Sequence, residues 1–184
     1  MKKSFLTSIL VLFSLNLLIA QQSYTDYSEK VQTLDSTLET LYGVISGEKG
    51  EARNWELFKF LFKPEAKLIP SGKNKEGIVD LRYLTPDNYI KTSGNWLVEN
   101  GFFEKEINRT VNSFGNITQV FSTYESYRSA TDKTPFARGI NSIQLLNDGT
   151  RWWIVNIYWM QETDKNPIPK EYLPTHPIIL MGLK

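Results

Sequence analysis

Residues 54–70 read N-W-E-L-F-K-F-L-F-K-P-E-A-K-L-I-P, and two periods meet inside them. Trp55, Phe58, Leu61 and Phe62 follow one another at steps of three, three and one, the apolar stripe of a short helix. Pro64 stops that helix, because it brings no N–H and its ring clashes with the preceding turn. It also pushes Lys63 toward extended backbone. Ala66, Lys67, Leu68 and Ile69 then alternate as the opening of a strand, which Pro70 and Gly72 are expected to break. A helix therefore turns sharply into a strand, with aromatic bulk, Trp55 included, at the corner.

On the N-terminal side, Val31, Leu34, Leu38, Leu41 and Ile45 step by three, four, three and four. That spacing predicts one helix over residues 27–46 with a continuous apolar face. On the C-terminal side, residues 78–84 read as a short strand. Thr85-Pro86-Asp87 then starts a helix: Thr as N-cap, Pro at the first helical position, Asp near the positive end of the dipole. This helix carries Tyr89 and Ile90, is expected to break at Ser93-Gly94, and stops at Asn100-Gly101. From Phe102 the period changes to two. Strands are expected at 103–114, 117–129, 138–146 and 151–162, with turns at Gly115-Asn116 and Asn147-Asp148-Gly149. Helices first and a meander of long antiparallel strands after them is an α+β order.

With the strand sequences F-F-E-K-E-I, V-F-S-T-Y-E, R-G-I-N-S-I-Q-L and G-T-R-W-W-I, residues 27–162 resemble the nuclear transport factor 2-like superfamily. That superfamily includes SnoaL-like cyclases and ketosteroid isomerases. The resemblance implies an α+β cone, with N-terminal helices packed in the concavity of a strongly curved, mainly antiparallel sheet. It also implies a hollow between helices and sheet, and an outer sheet surface through which many members pair. It rests on packing residues and carries no catalytic signature, so it speaks to fold before chemistry.

Residues 1–20 read as an export signal: Lys2 and Lys3 ahead of an apolar run, with Ala20 before the expected cut. That run is interrupted by Thr7, Ser8, Ser14 and Asn16 and is short for a membrane span. The expected organisation is a signal peptide at 1–20, one domain at 21–166 and a Pro-rich tail at 167–184. The chain has no cysteine, which excludes disulfides, thiolate metal sites and Cys nucleophiles. An exported chain without disulfides suits a bacterial periplasm or extracellular medium. Lys and Arg total 21 and Asp and Glu 20, a net charge of +1. That balance steers the protein neither to nucleic acid nor, after signal cleavage, to a membrane.

The last strand carries the most information. On a strict period of two, Trp152, Ile154, Asn156, Tyr158 and Met160 share one face, and Trp153, Val155, Ile157 and Trp159 the other. Both faces are rich in apolar residues, so both must be covered. The first face is assigned to the inside of the cone. The second is assigned to the outside, where a homodimer contact through Trp153, Ile157 and Trp159 is expected. The Pro-rich tail is the competing cover for that same patch.

The ligand-binding candidates are Tyr124, Asn156, Tyr158, Arg128 and Trp55. The tyrosines would donate to a carbonyl, Asn156 would orient it, and Arg128 would meet a carboxylate at the rim. No catalytic residue is selected. Glu104 and Glu106 share a strand face and have the chemistry of an acid/base pair, but like charges so close read first as a solvated face. Asp80 and Glu65 flank the helix–strand corner as further possible bases. The single histidine, His176, falls in the tail and reads as a surface residue. No cofactor and no metal site are expected. Three readings stay open: a protein that binds a small apolar molecule with a polar handle, an isomerase or cyclase using a carboxylate base and a tyrosine, and a dimerising interaction module.

Overall fold

The computed structural model describes residues 26–175. The expected export signal at 1–20 and His176 lie outside the described residues. Three α-helices, α1 (Leu34–Ile45), α2 (Trp55–Phe60) and α3 (Pro86–Asn100), pack on one curved sheet. Its strands are β1 (Phe62–Lys73), β2 (Val79–Leu81), β3 (Phe103–Phe114), β4 (Ile117–Tyr127), β5 (Ala137–Asn147) and β6 (Trp152–Gln161). The spatial order is β2-β1-β6-β5-β4-β3. All pairings are antiparallel except β1 with β6, which run parallel. The fold is α+β, as expected.

The predicted helix over 27–46 is divided. A 3-10 turn (Ser28–Val31) precedes α1, and Thr33, in extended backbone, caps α1 in a reciprocal box with Ser36. Side-chain oxygens at both positions satisfy N–H groups that a helix start leaves unpaired. The apolar stripe still runs through the break: Val31, Leu38, Leu41 and Ile45 are all buried.

The corner in residues 54–70 forms as expected, with one difference. β1 runs through both prolines. Between Phe62 and Lys67 its pairing with β6 shifts register. Pro64 therefore falls where the ladder is interrupted and its missing N–H leaves nothing unpaired. Pro70 stays within the strand, its carbonyl accepting from the Arg82 N–H at 3.3 Å. The predicted strand over 78–84 contracts to β2.

α3 also continues where a break was expected. Gly94 does not end it. A Cβ there would come within 3.2 Å of the Trp55 ring, so this glycine lets α2 and α3 approach closely. Gly101 is the true stop, with φ 68° and the Arg128 carbonyl occupying the space of a side chain.

The buried core lies between the helices and the inner sheet face: Leu38, Phe58, Leu61, Val120, Ile143 and Ile154 are its best-covered members. Arg53, absent from every sequence expectation, ties two helix ends together. Its guanidinium donates to the carbonyls of Ile45 (2.9 Å), Gly47 (2.7 Å) and Leu97 (3.2 Å), and also to that of Glu51. The carbonyls that a helix C-terminus leaves orphaned find their donors here.

The face assignment on β6 needs correction. Gln144 pairs with Asn156, and Leu145 pairs with Ile154, so Val155 has no partner on β5. This β-bulge restarts the alternation. Ile154, Ile157 and Trp159 point to the helices, whereas Asn156, Tyr158 and Met160 point outward with Ser142 and Ile140. Ile157 and Trp159 are thus core-side residues, not outer-face ones. Trp153 does face outward, where its indole N–H donates to Asp148 at 2.6 Å and its ring carries the Arg151 guanidinium.

Part of the outer face is covered by the tail. Ile168 is buried, Tyr172 meets Phe121 edge-on at 4.9 Å, and the Thr123 hydroxyl donates to the Tyr172 carbonyl at 2.6 Å.

Candidate functional site

Between α3 and the inner sheet face lies a cavity of about 280 Å³. α1 contributes Leu41 and Ile45, α2 contributes Phe58, and α3 contributes Tyr89, Ser93, Trp96 and Leu97. The sheet contributes Glu104 from β3, Tyr124 and Ser126 from β4, Asn141 from β5, and Ile157, Trp159 and Gln161 from β6. Trp96 and Phe136 are each 43% exposed and frame the mouth.

Each polar side chain arrives by alternation or by a turn of helix. Ser122, Tyr124 and Ser126 share the inner face of β4, and Glu104 pairs opposite Ser126. Asn141 stands opposite Trp159 across β5 and β6. Tyr89 stacks on Phe58, with ring centroids 5.5 Å apart. Gly139 faces Tyr124, whose hydroxyl occupies the place a Cβ would take.

Glu104 is the chemical centre of the cavity. Its carboxylate accepts from the Ser126 hydroxyl at 3.3 Å and from the Asn141 amide at 3.4 Å. Among the described residues it has no ion-pair partner. Burial, only partly offset by those two donors, pushes its pKa up to about 7. Tyr89 and Tyr124 sit close enough to feel its charge, and desolvation with that charge raises both phenols. Neither hydroxyl has a protein hydrogen-bond partner among the described residues, and no fully buried polar atom there is left unpaired. Both therefore open into the cavity.

A second polar cluster adjoins this one and is closed. The Asn141 amide donates to the Tyr42 hydroxyl at 3.1 Å, and Tyr42 and Ser122 share a hydrogen bond of 2.6 Å. Ser122 donates in turn to Glu106. Arg109 binds Glu106 at 2.7 Å and Asp35 at 2.6 Å, carrying the network to the surface. Burial, with the nearby Glu104 charge, raises the Tyr42 phenol strongly.

Of the five residues expected at the site, Tyr124 lines the cavity. Asn156 and Tyr158 lie on the other side of the sheet, carried there by the bulge at Val155; Asn156 donates to Gln144 at 2.8 Å. Arg128 sits at the mouth, its guanidinium over the Trp96 ring (4.5 Å) and the Phe136 ring (4.0 Å). Trp55 supports the wall from behind, edge-on to Phe58. Glu65 and Asp80 are exposed and away from the cavity. Sequence reasoning passed over Asn141, Tyr89 and Trp159. The parity of β5 relative to β4 was the one signal available for Asn141. For Trp159 the bulge hid the signal.

No protein-family model matches the sequence, and no curated protein matches it. Solved structures do match in shape. A nuclear transport factor 2-like protein of unknown function from Silicibacter pomeroyi aligns at 17% identity and TM-score 0.50, over 75% of this chain and 100% of that one. A second such protein, from Pseudomonas putida, aligns at 8% identity and TM-score 0.53, over 77% and 94%. The β subunit of a putative aromatic-ring-hydroxylating dioxygenase from Novosphingobium aromaticivorans aligns at 9% identity and TM-score 0.53, over 73% and 94%. The chain has the nuclear transport factor 2-like fold. At these identities the likeness concerns the fold alone.

Proposed function

We propose that this protein binds a small apolar molecule with one polar handle inside the cone. The observation that carries this reading is an aromatic-walled cavity lined by two hydroxyls without a partner among the described residues, those of Tyr89 and Tyr124, beside a Glu104 carboxylate that has two donors there but no ion-pair partner. Pockets of this kind combine an apolar lining with a few convergent polar groups, and about 300 Å³ is the small end of their range. The sequence reading of an export signal at 1–20 adds that the ligand is met outside the cytoplasm. Titration of a hydrophobic fluorescent dye, followed by displacement with a panel of small aromatic compounds, tests the reading. Saturable binding should be lost in Ser93→Phe, which fills the cavity from α3. Equal dye binding by both proteins would refute it.

A second reading is favoured by the lining itself, which brings the Glu104 carboxylate into one cavity with the Tyr89 and Tyr124 phenols, burial pushing Glu104 up to about 7. A carboxylate poised there can take a proton at neutral pH, while a tyrosine hydroxyl donates to the carbonyl that gains charge. The reaction class would be proton abstraction next to a carbonyl. Loss of deuterium from labelled cyclic ketones, rising through pH 7 and absent in Glu104→Gln, is the test.

Assembly rests on the outer face. Phe114, Ile117 and Val155 are exposed apolar residues of one outer-face pocket away from the tail, and Tyr158 and Met160 are exposed beside it. We place a homodimer contact there in preference to Ile157 and Trp159. Sedimentation of wild type against Val155→Asp tests it: a monomer for both sinks the dimer.

A further inference from the structure

Among the described residues, Glu104 has no cationic partner in the cavity. Its two protein partners, Ser126 and Asn141, both present donors, one to each carboxylate oxygen. The carboxylate and its two donors all line the cavity. Around them stand Phe58, Tyr89, Trp96, Phe102, Tyr124 and Trp159. Ring faces carry partial negative charge, and a carboxylate carries a full one. Phe58 and Tyr89 stack on each other and Trp96 carries Arg128, so the complementarity to a positive charge rests on the Glu104 carboxylate, with the rings supplying apolar contact.

We propose that the polar handle is a cation: the cavity takes an alkylammonium or arylalkylammonium, with its charged nitrogen against Glu104 and its apolar part among the rings. This rests on the cavity-binding reading above and narrows it to a ligand class. The neighbouring carboxylate, Glu106, is not the receptor, because Arg109 already neutralises it.

The proposal carries a pH signature. The groups facing Glu104 are Tyr42 from α1, Tyr89 from α3, Glu106 with Arg109 from β3, and Tyr124 from β4. β5 and β6 contribute the neutral Asn141 and Gln161. Arg128 stays at the mouth on Trp96 and Phe136. Glu104 is therefore the group that changes charge near neutrality. Below that range its protonated form offers an ammonium little; above it, the carboxylate forms a charge-assisted hydrogen bond.

Calorimetric titration with phenethylamine and with its neutral isostere phenethyl alcohol tests this. At pH 8 the amine should bind at least about tenfold more tightly than the alcohol, the scale of one charge-assisted contact. The preference should fade by pH 5.5, and binding near pH 7 should release protons to the buffer. Glu104→Gln should abolish the preference while retaining the alcohol. Equal binding of both compounds at pH 8 overturns the cation and leaves the cavity reading standing. Binding of neither overturns both. The pH dependence of the wild-type protein decides the matter even if the variant fails to fold.

Discussion

Two polar clusters share the inner sheet face, and they differ in completeness. In the closed one, Tyr42, Ser122, Glu106, Arg109 and Asp35 satisfy one another out to the surface. In the open one, among the described residues, Glu104 has donors but no cation, and Tyr89 and Tyr124 have no hydrogen-bond partner. Buried polar groups are normally paired because desolvation is costly. The closed cluster accordingly belongs to stability. The open cluster costs stability and makes sense when a second molecule completes it.

The largest expected effect breaks the closed cluster. Arg109→Leu leaves Glu106 and Asp35 without their cation. Removing one partner of a buried pair costs about 3–5 kcal/mol. The Arg109 side chain is 29% exposed and that of Asp35 85%, so solvent lowers the expectation to roughly 2–3 kcal/mol. The midpoint of urea unfolding at pH 7 measures it. Tyr42→Phe comes next. It removes the hydroxyl that joins Asn141 to Ser122 and should cost about 1–2 kcal/mol in the same assay.

Glu104→Gln should act with the opposite sign. The folded-state pKa of Glu104 is raised from 4.5 to about 7, so between those values the folded chain holds a proton that the unfolded chain has released. The slope of stability against pH is then negative across that window and flat beyond it. Wild type loses stability as pH rises from about 4.5 to 7, and the glutamine variant does not. At pH 8 the variant should be more stable by roughly 1–2 kcal/mol, discounted for the carboxylate's contact with the cavity. Paired unfolding curves at pH 4 and pH 8 check it. A variant less stable than wild type at pH 8 would transfer Glu104 to the closed, structural cluster.

Much of this arrangement was legible in the sequence. The period-two runs from Phe102 onward give four strands with the right order and turns, and Thr85-Pro86-Asp87 marks the start of α3 where it occurs. Such signals are local, and local signals survive folding. Apart from the Thr33–Ser36 capping box that divides the first helix, the failures were non-local. Ser93-Gly94 reads as a break, but Gly94 answers to Trp55, thirty-nine positions earlier in the chain. The residue count in β6 cannot show the Val155 bulge, which exists only relative to β5 and β1. One unpaired residue carried Asn156 and Tyr158 out of the site and brought Trp159 in. Glu104 and Glu106 looked like one pair because they share a strand face; their difference comes from Arg109, three residues along β3 from Glu106, and from Asn141, supplied to Glu104 by β5.

The smallest expected effect is the sharpest test of the comparison. Tyr42 and Tyr124 are both buried on the inner side, and both lose one oxygen atom on mutation to Phe. Tyr42 surrenders a working link between Asn141 and Ser122, whereas Tyr124 surrenders a hydroxyl with no partner among the described residues. The ring of Tyr124 stays packed against Gly139 either way. Tyr124→Phe should therefore leave stability within about 0.5 kcal/mol of wild type, while weakening any ligand that hydrogen-bonds to that hydroxyl. A stability loss equal to that of Tyr42→Phe would mean that Tyr124 has a partner within the protein, and the distinction between a completed cluster and a waiting one would fail at the residue where it is most exposed to refutation.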